Sequence, residues 1–338
     1  MTAWTRANTD WLHAARWGTF VHYLADAPSC TEAVTLSPDT WNRQVESFDV
    51  ERYAATLADL GCPYTFLTLG QNSGYYCSPN ATYDAIVGHR PSRLSRRDLI
   101  ADLAAACTRR GIRMMVYFTS SAPCNDPVAM VRLRCTPTWD AGALGFPKGR
   151  YTPADAAGTD ERLSEFQRHW EAIIREWSLR WGRSVHGWWI DGAYAADRMY
   201  RNLDEPNFRS FAAAMKAGNP DSLVAFNPGV RNPVICHSEY EDYTCGEIAN
   251  TLPTNGVAPC VAPVGRWVQG AQYHLLTFLG GRWCHPEPRF TDEMVVAYTR
   301  YVNSWGGVVS WDHPVAPDGR IPDAMLRQLA RLGRELRS

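Results

Sequence analysis

The chain has 338 residues, 45% hydrophobic and 20% charged, with a formal net charge of -1. That length fills one large α/β barrel, which takes ~250 residues plus loop insertions. The near-neutral charge gives nucleic acid or an anionic membrane surface nothing to hold, and no stretch approaches the ~18 uninterrupted apolar residues of a membrane span.

Short β-rich runs alternate with amphipathic helices, the order expected of a parallel α/β fold. Residues 17–24 read as the first strand, and the helix from about Val50 to Leu60 carries Tyr53, Leu57 and Leu60 on one face, with Gly61 ending it. A second strand covers 64–69, a helix 98–110 and a third strand 114–119. The Pro- and Gly-rich stretch 120–158 is too long for an idle connection and is expected to cover one end of the molecule. From Glu161 to Trp181 an apolar stripe of Leu163, Phe166, Trp170, Ile173, Ile174, Trp177 and Trp181 predicts the clearest helix. Residues 185–191 form the fourth strand, a helix spans 207–217, and the fifth strand spans 223–226. A sixth strand is expected at 240–245 and a seventh at 273–279. The helix 292–305, an eighth strand at 308–311 and a closing helix at 322–336 complete the chain. Eight strands predict a closed (β/α)8 TIM barrel, and no linker or repeat divides 1–338 into more than one domain.

The N-terminus lacks the charged and then apolar segments of a secretory signal. Ten cysteines include no C-x-x-C pair, and Cys62, Cys107 and Cys236 sit in apolar segments. They read as buried, reduced thiols of a cytoplasmic protein, not as a disulfide frame or a zinc site. The Asn80-Ala81-Thr82 sequon is then idle. His285 and His313 are isolated, which leaves no metal site and no cofactor expected. Fourteen Trp and fifteen Tyr exceed the ordinary needs of a core. Most of them fill a large interior, and the remainder suit the C–H faces of sugar rings.

In such a barrel the chemistry sits where the strands end. Those ends offer His22, Gln71 with Asn72, Ser120, Asp191, Asn227, Glu247, Arg282 with Trp283, and Asp312 with His313. Two carboxylates across a pocket of amides, imidazole and indole are the equipment of a retaining glycosidase, one as nucleophile and one as acid/base. Asp191 ends the run Trp188-Trp189-Ile190, where a carboxylate is costly to desolvate unless it has partners or a function. Glu247 emerges beside Gly246 at the rim and is expected to be the acid/base. Glu241 stays open as the alternative, although Glu241 and Asp242 are expected to face solvent or pair with Arg. Trp41, Trp283 and Trp311 are candidate pocket walls, His22 and Asn227 candidate hydroxyl ligands, and Arg282 a candidate partner for a substrate oxygen.

These residues carry a resemblance to the α-L-fucosidases of glycoside hydrolase family 29. Trp11 through Gly18-Thr19-Phe20-Val21-His22 is similar to that family's opening segment. Phe48-Asp49, Leu60-Gly61-Cys62-Pro63-Tyr64, Arg97-Asp98-Leu99, Gly111-Ile112 and Tyr117 continue the likeness. Trp189-Ile190-Asp191-Gly192 resembles the nucleophile motif, and Pro317 to Pro322 the closing segment. The resemblance implies metal-free removal of terminal α-L-fucose with retention, by an Asp nucleophile and a Glu acid/base, with His22 on a sugar hydroxyl. Two departures stand out: Gln71-Asn72-Ser73-Gly74 replaces the family's His-His-Asp-Gly, and the C-terminal β-sandwich common in the family is expected to be absent. Three readings therefore stand: an exo-acting fucosidase-like hydrolase of a small saccharide or glycoside, a related hydrolase with another glycone (α-galactoside-like, for example), and a carbohydrate-binding pseudoenzyme.

Overall fold

The computed structural model describes residues 4–26, 36–144, 154–254 and 265–337. Strands β1 (Trp17–Val21), β2 (Tyr64–Thr68), β3 (Arg113–Thr119), β4 (Val185–Asp191) and β5 (Leu223–Phe226) come first in the chain. A two-residue antiparallel ribbon follows, β6 (Trp267–Val268) with β7 (Ala271–Gln272), and then β8 (His274–Phe278) and β9 (Val308–Asp312). Seven of these make one parallel sheet in the order β5-β4-β3-β2-β1-β9-β8.

The strands read as apolar runs because both faces of the sheet are covered. Their side chains alternate between two cores with the period of a strand. Along β3, Met115 and Tyr117 join Phe20, Phe66, Trp189, Leu223 and Leu276 on the inner face. Met114, Val116 and Phe118 join the larger cluster beneath the helices.

The helices are α1 (Asp10–Ala15), α2 (Pro38–Ser47), α3 (Val50–Leu60), α4 (Ala81–Val87), α5 (Leu99–Thr108), α6 (Pro127–Arg132), α7 (Ser164–Trp181), α8 (Ala196–Met199), α9 (Phe208–Met215), α10 (Asp292–Ser304) and α11 (Asp323–Arg337). Side-chain caps set several starts: Asp49, Asp98, Asp126, Asn207 and Thr291 each accept a backbone N–H of the first turn. The predicted stripe of α7 packs inward, with Trp170 stacked on Phe118 at 4.8 Å and Trp181 against Trp188 at 5.6 Å. Asn80 caps α4 through Tyr83 N and donates Nδ2 to Ile173 O at 3.0 Å, so the sequon amide is buried between two helices. Within 120–158 lie α6 and a 3-10 turn at Ala141–Leu144; residues 145–153 fall outside the described residues.

The strand expected at 240–245 is not a regular one. Residues 242–248 run instead as an irregular segment that bonds to both edges of the sheet. Asp242 N donates to Val224 O of β5, and Gln272 N, Thr244 N, Leu276 N and Ile248 N continue the exchange along β7 and β8, at 2.8 to 3.1 Å. Two side chains stand in for missing ladder bonds. Val224 N donates to Asp242 Oδ2 at 2.9 Å and Phe226 N to Glu241 Oε1 at 2.6 Å. Glu241 and Asp242 were expected at solvent or on Arg; both are fully buried, because the unpaired edge of β5 needs acceptors. Glu241 also accepts from Ser238 N and His237 N, and Asp242 pairs with Lys216 at 2.7 Å.

Among the described residues no group of three or more His, Cys, Asp or Glu is arranged to hold a metal ion, and no helix is long and apolar enough to cross a membrane. Cys62, Cys77, Cys107, Cys135, Cys236 and Cys245 are free thiols; Cys30 and Cys260 lie outside the described residues.

Candidate active site

Trp189 and Cys245 set the register of the two acids. The Trp189 indole donates to Cys245 O at 3.0 Å, locking β4 to the 242–248 segment. Two residues further along each, Asp191 at the end of β4 and Glu247 just past the left-handed Gly246 converge on one amide. Between them Asn227 leaves the end of β5, its own N–H bonded to Ile190 O at 2.7 Å. Its amide nitrogen donates to both acids, at 2.9 Å to Asp191 Oδ1 and 2.7 Å to Glu247 Oε2. Asn227 is fully buried, while both acids are partly exposed.

Asp191 is surrounded by donors. Besides Asn227, it accepts from Tyr117 Oη at 2.6 Å, Gly192 N at 2.8 Å and Tyr194 Oη at 3.4 Å. Gly192 adopts φ 77°, the left-handed conformation that lets the chain turn back so that its N–H meets the preceding carboxylate. Glu247 lies in a different field. Burial, and then the charge of Asp191, push its pKa above the ordinary carboxylate value, while the Asn227 bond and His22 pull the other way. One acid is held in acceptor geometry and the other favours its proton, the division of labour that acid/base chemistry needs.

His22 stands across the pocket. Its Nδ1 is 2.7 Å from Asp312 Oδ1, and Asp312 is buried. An acceptor there fixes the proton on Nδ1 and leaves Nε2 as the second functional nitrogen. Trp283 lies against His22 at 5.1 Å and against Phe278 at 4.7 Å. Tyr117, stacked on Trp189 at 5.4 Å, completes the floor, and its hydroxyl also receives Gln71 Nε2. Asn72 follows in the loop after β2, partly exposed, with its backbone carbonyl taken by Asn125 N at 2.8 Å.

Asp191, Glu247, His22, Gln71, Tyr117, Asn227 and Trp283 are therefore gathered in one contact network. Trp41 and Trp311 are not part of it. Trp41 lies on the buried face of α2 with its indole on Tyr76 O, and Trp311 points outward to Thr299 of α10. Arg282 is exposed at the rim. Glu241 is occupied by backbone amides away from this network, and burial pushes its pKa up to about 7. Sequence reasoning assigned no role to Asp312 or Tyr194. Pairing of β1 with β9 sets Phe20 opposite Asp312, so the register could have flagged the His22 partner; nothing in the sequence marks Tyr194.

Fold and site together describe a glycoside hydrolase, with two carboxyl groups and aromatic walls at the strand ends of an α/β sheet. Residues 13–338 match the alpha-L-fucosidase family, and the chain belongs to it. No curated protein matches it. Among solved structures it is similar to alpha-L-fucosidase AlfC from Lactobacillus casei in complex with alpha-L-fucose product, at 15% identity and TM-score 0.63, covering 97% of this chain and 98% of that one. An AlfC mutant in complex with 4-nitrophenyl-α-L-fucopyranoside aligns equally well, at 15% identity, TM-score 0.63 and the same coverage. The endo-fucoidan hydrolase MfFcnA4 of glycoside hydrolase family 107 aligns with 97% of this chain at 18% identity and TM-score 0.67; the match spans 53% of that protein. At such identities the likeness speaks for the fold.

Proposed function

We propose that the protein is a retaining exo-α-L-fucosidase-like hydrolase in which Asp191 is the nucleophile and Glu247 the acid/base. The observation that carries this is the shared amide of Asn227. Two oxygens bonded to one nitrogen lie within about 6 Å of each other, the range of retaining pairs (about 5–5.5 Å), short of the about 6.5–9.5 Å of inverting ones. Asp191 attacks the anomeric carbon as the glycosidic C–O bond breaks, and the Glu247 proton passes to the leaving oxygen. Glu247 then takes a proton from water, which attacks the same carbon and releases Asp191. His22 Nε2, Asn72 and Trp283 serve the sugar, with Tyr117 and Asn227 keeping the nucleophile aligned and Arg282 placed to meet an aglycone.

In this reading the chain is one catalytic domain whose sheet is closed into a barrel by 242–248 acting as its irregular sixth strand. The free thiols suit a reducing compartment such as the cytoplasm. A second reading changes only the glycone: Gln71 spends one of its two amide N–H groups on Tyr117, which leaves a single N–H for a sugar hydroxyl.

Hydrolysis of 4-nitrophenyl α-L-fucopyranoside and α-D-galactopyranoside, compared between wild type and Asp191→Ala, tests both readings. Release from the fucoside that vanishes in a folded Asp191→Ala variant is expected. Release from the galactoside alone favours the second reading, and turnover surviving in Asp191→Ala removes the nucleophile assignment.

A further inference from the structure

We propose that Gln71 is a positioning residue that acts through Tyr117 to aim the Asp191 carboxylate, an inference that rests on Asp191 being the nucleophile.

A phenol hydroxyl has one proton and two lone pairs. The Tyr117 hydroxyl lies 2.6 Å from Asp191 Oδ2, and a carboxylate only accepts, so the single proton lies on that line. Burial, and then the charge of Asp191, hold the phenol far above its ordinary range, so it keeps this proton. Gln71 meets the same phenol oxygen from the other side. With the proton already committed, only an N–H can face that oxygen, which decides the orientation of the Gln71 amide.

The amide thereby places a donor on the far side of the oxygen, which disfavours rotation of the O–H away from Asp191 toward another acceptor, such as a sugar oxygen. The ring beneath is held by Trp189 at 5.4 Å and by the edges of Phe20 and His22 at 5.7 and 5.5 Å. The Gln71 loop is braced as well. Leu69 N donates to Tyr117 O at 3.0 Å, Asn125 N to Asn72 O at 2.8 Å and Arg93 Nη1 to Ser73 O at 3.1 Å. A primary amide does not titrate, so this aim is held at every pH where the enzyme is folded.

The test is a double-mutant cycle on 4-nitrophenyl α-L-fucopyranoside, with kcat and KM measured separately for Gln71→Leu, Tyr117→Phe and the double variant. Each single change is expected to lower kcat on the order of tenfold, and the double no further than Tyr117→Phe alone. Gln71→Glu adds a readout that a merely structural role would not move. Its carboxylate competes with Asp191 for the phenol proton, so kcat falls below that of Gln71→Leu at neutral pH. It recovers toward Gln71→Leu as the pH drops and the new carboxyl protonates, and should Tyr117→Phe fail to fold, this profile decides alone. Additive losses in kcat, a loss confined to KM, or a Gln71→Glu profile parallel to wild type each overturn the proposal while leaving the nucleophile intact. Full turnover in Asp191→Ala, or a wild type inert toward the fucoside, overturns the underlying function and this inference together.

Discussion

Asn227 connects the two acids with a single amide nitrogen, so its loss should be felt by both. Asn227→Ala is expected to lower kcat by on the order of a hundredfold, with a shift in the pH profile absent from a simple binding defect. The sign follows from Glu247. Its raised pKa keeps the proton to higher pH than an ordinary carboxyl, and the Asn227 bond opposes that rise. Removing the amide should move the basic limb of kcat/KM further up. Glu247→Gln should abolish that limb, and should slow fucosides with poor leaving groups far more than 4-nitrophenyl fucoside, whose leaving group needs little protonation. A leaving-group series that shows no such difference removes Glu247 as the acid. At this scale the polar strand ends were legible, because the end of a buried run fixes where a side chain emerges. Trp41 and Trp311 were misjudged for a related reason. Which face an indole takes depends on strand register and helix packing, and a one-residue change reverses it.

The 242–248 segment is the element the sequence describes least well. Its carboxylates looked like surface groups because four of them crowd into 239–247. The structure uses Glu241 and Asp242 as acceptors for the amides of Val224, Phe226 and Ser238, a demand set by the neighbouring strand and invisible locally. Glu241→Ala leaves several buried N–H groups without partners and is expected to cost about 3–5 kcal/mol of unfolding free energy, read by denaturant titration. Glu247→Gln should leave stability nearly unchanged, and equal losses in the two variants would refute this division between scaffold and site. Gly246 is equally constrained: at φ 62° its Cβ position collides with the His274 carbonyl. Gly246→Ala should therefore lower both the melting temperature and activity. Elsewhere the elements were legible wherever apolar periodicity was long, as in α7, or where an unbroken run ended in a polar residue, as in β4.

At the scale of the whole molecule, alternation of strands and helices announced a parallel α/β fold, and seven of the eight expected strands are regular. The regular sixth strand expected at 240–245 is the exception, because there side-chain carboxylates accept the amides that a strand's backbone normally takes. Amide hydrogen exchange tests the proposed closure of the sheet by 242–248. The N–H groups of Thr244, Leu276 and Ile248, bonded across the segment, are expected to exchange as slowly as those of β4. Fast exchange at these three positions alone would describe an open sheet with a loop laid beside it.

The buried Asn80 amide bears on how the protein can be produced. Oligosaccharide is transferred to Asn-X-Thr sites on chains that are still unfolded, before burial can protect them. A sugar on Nδ2 would then occupy the place of the Ile173 carbonyl and hold α4 off α7. A eukaryotic secretory host should therefore yield two populations that mass spectrometry can separate, a folded product bare at Asn80 and a modified one retained or degraded. Bacterial cytoplasmic expression, or Thr82→Val in the secretory host, which breaks the sequon and keeps the Asn80 bond to Ile173, avoids that partition.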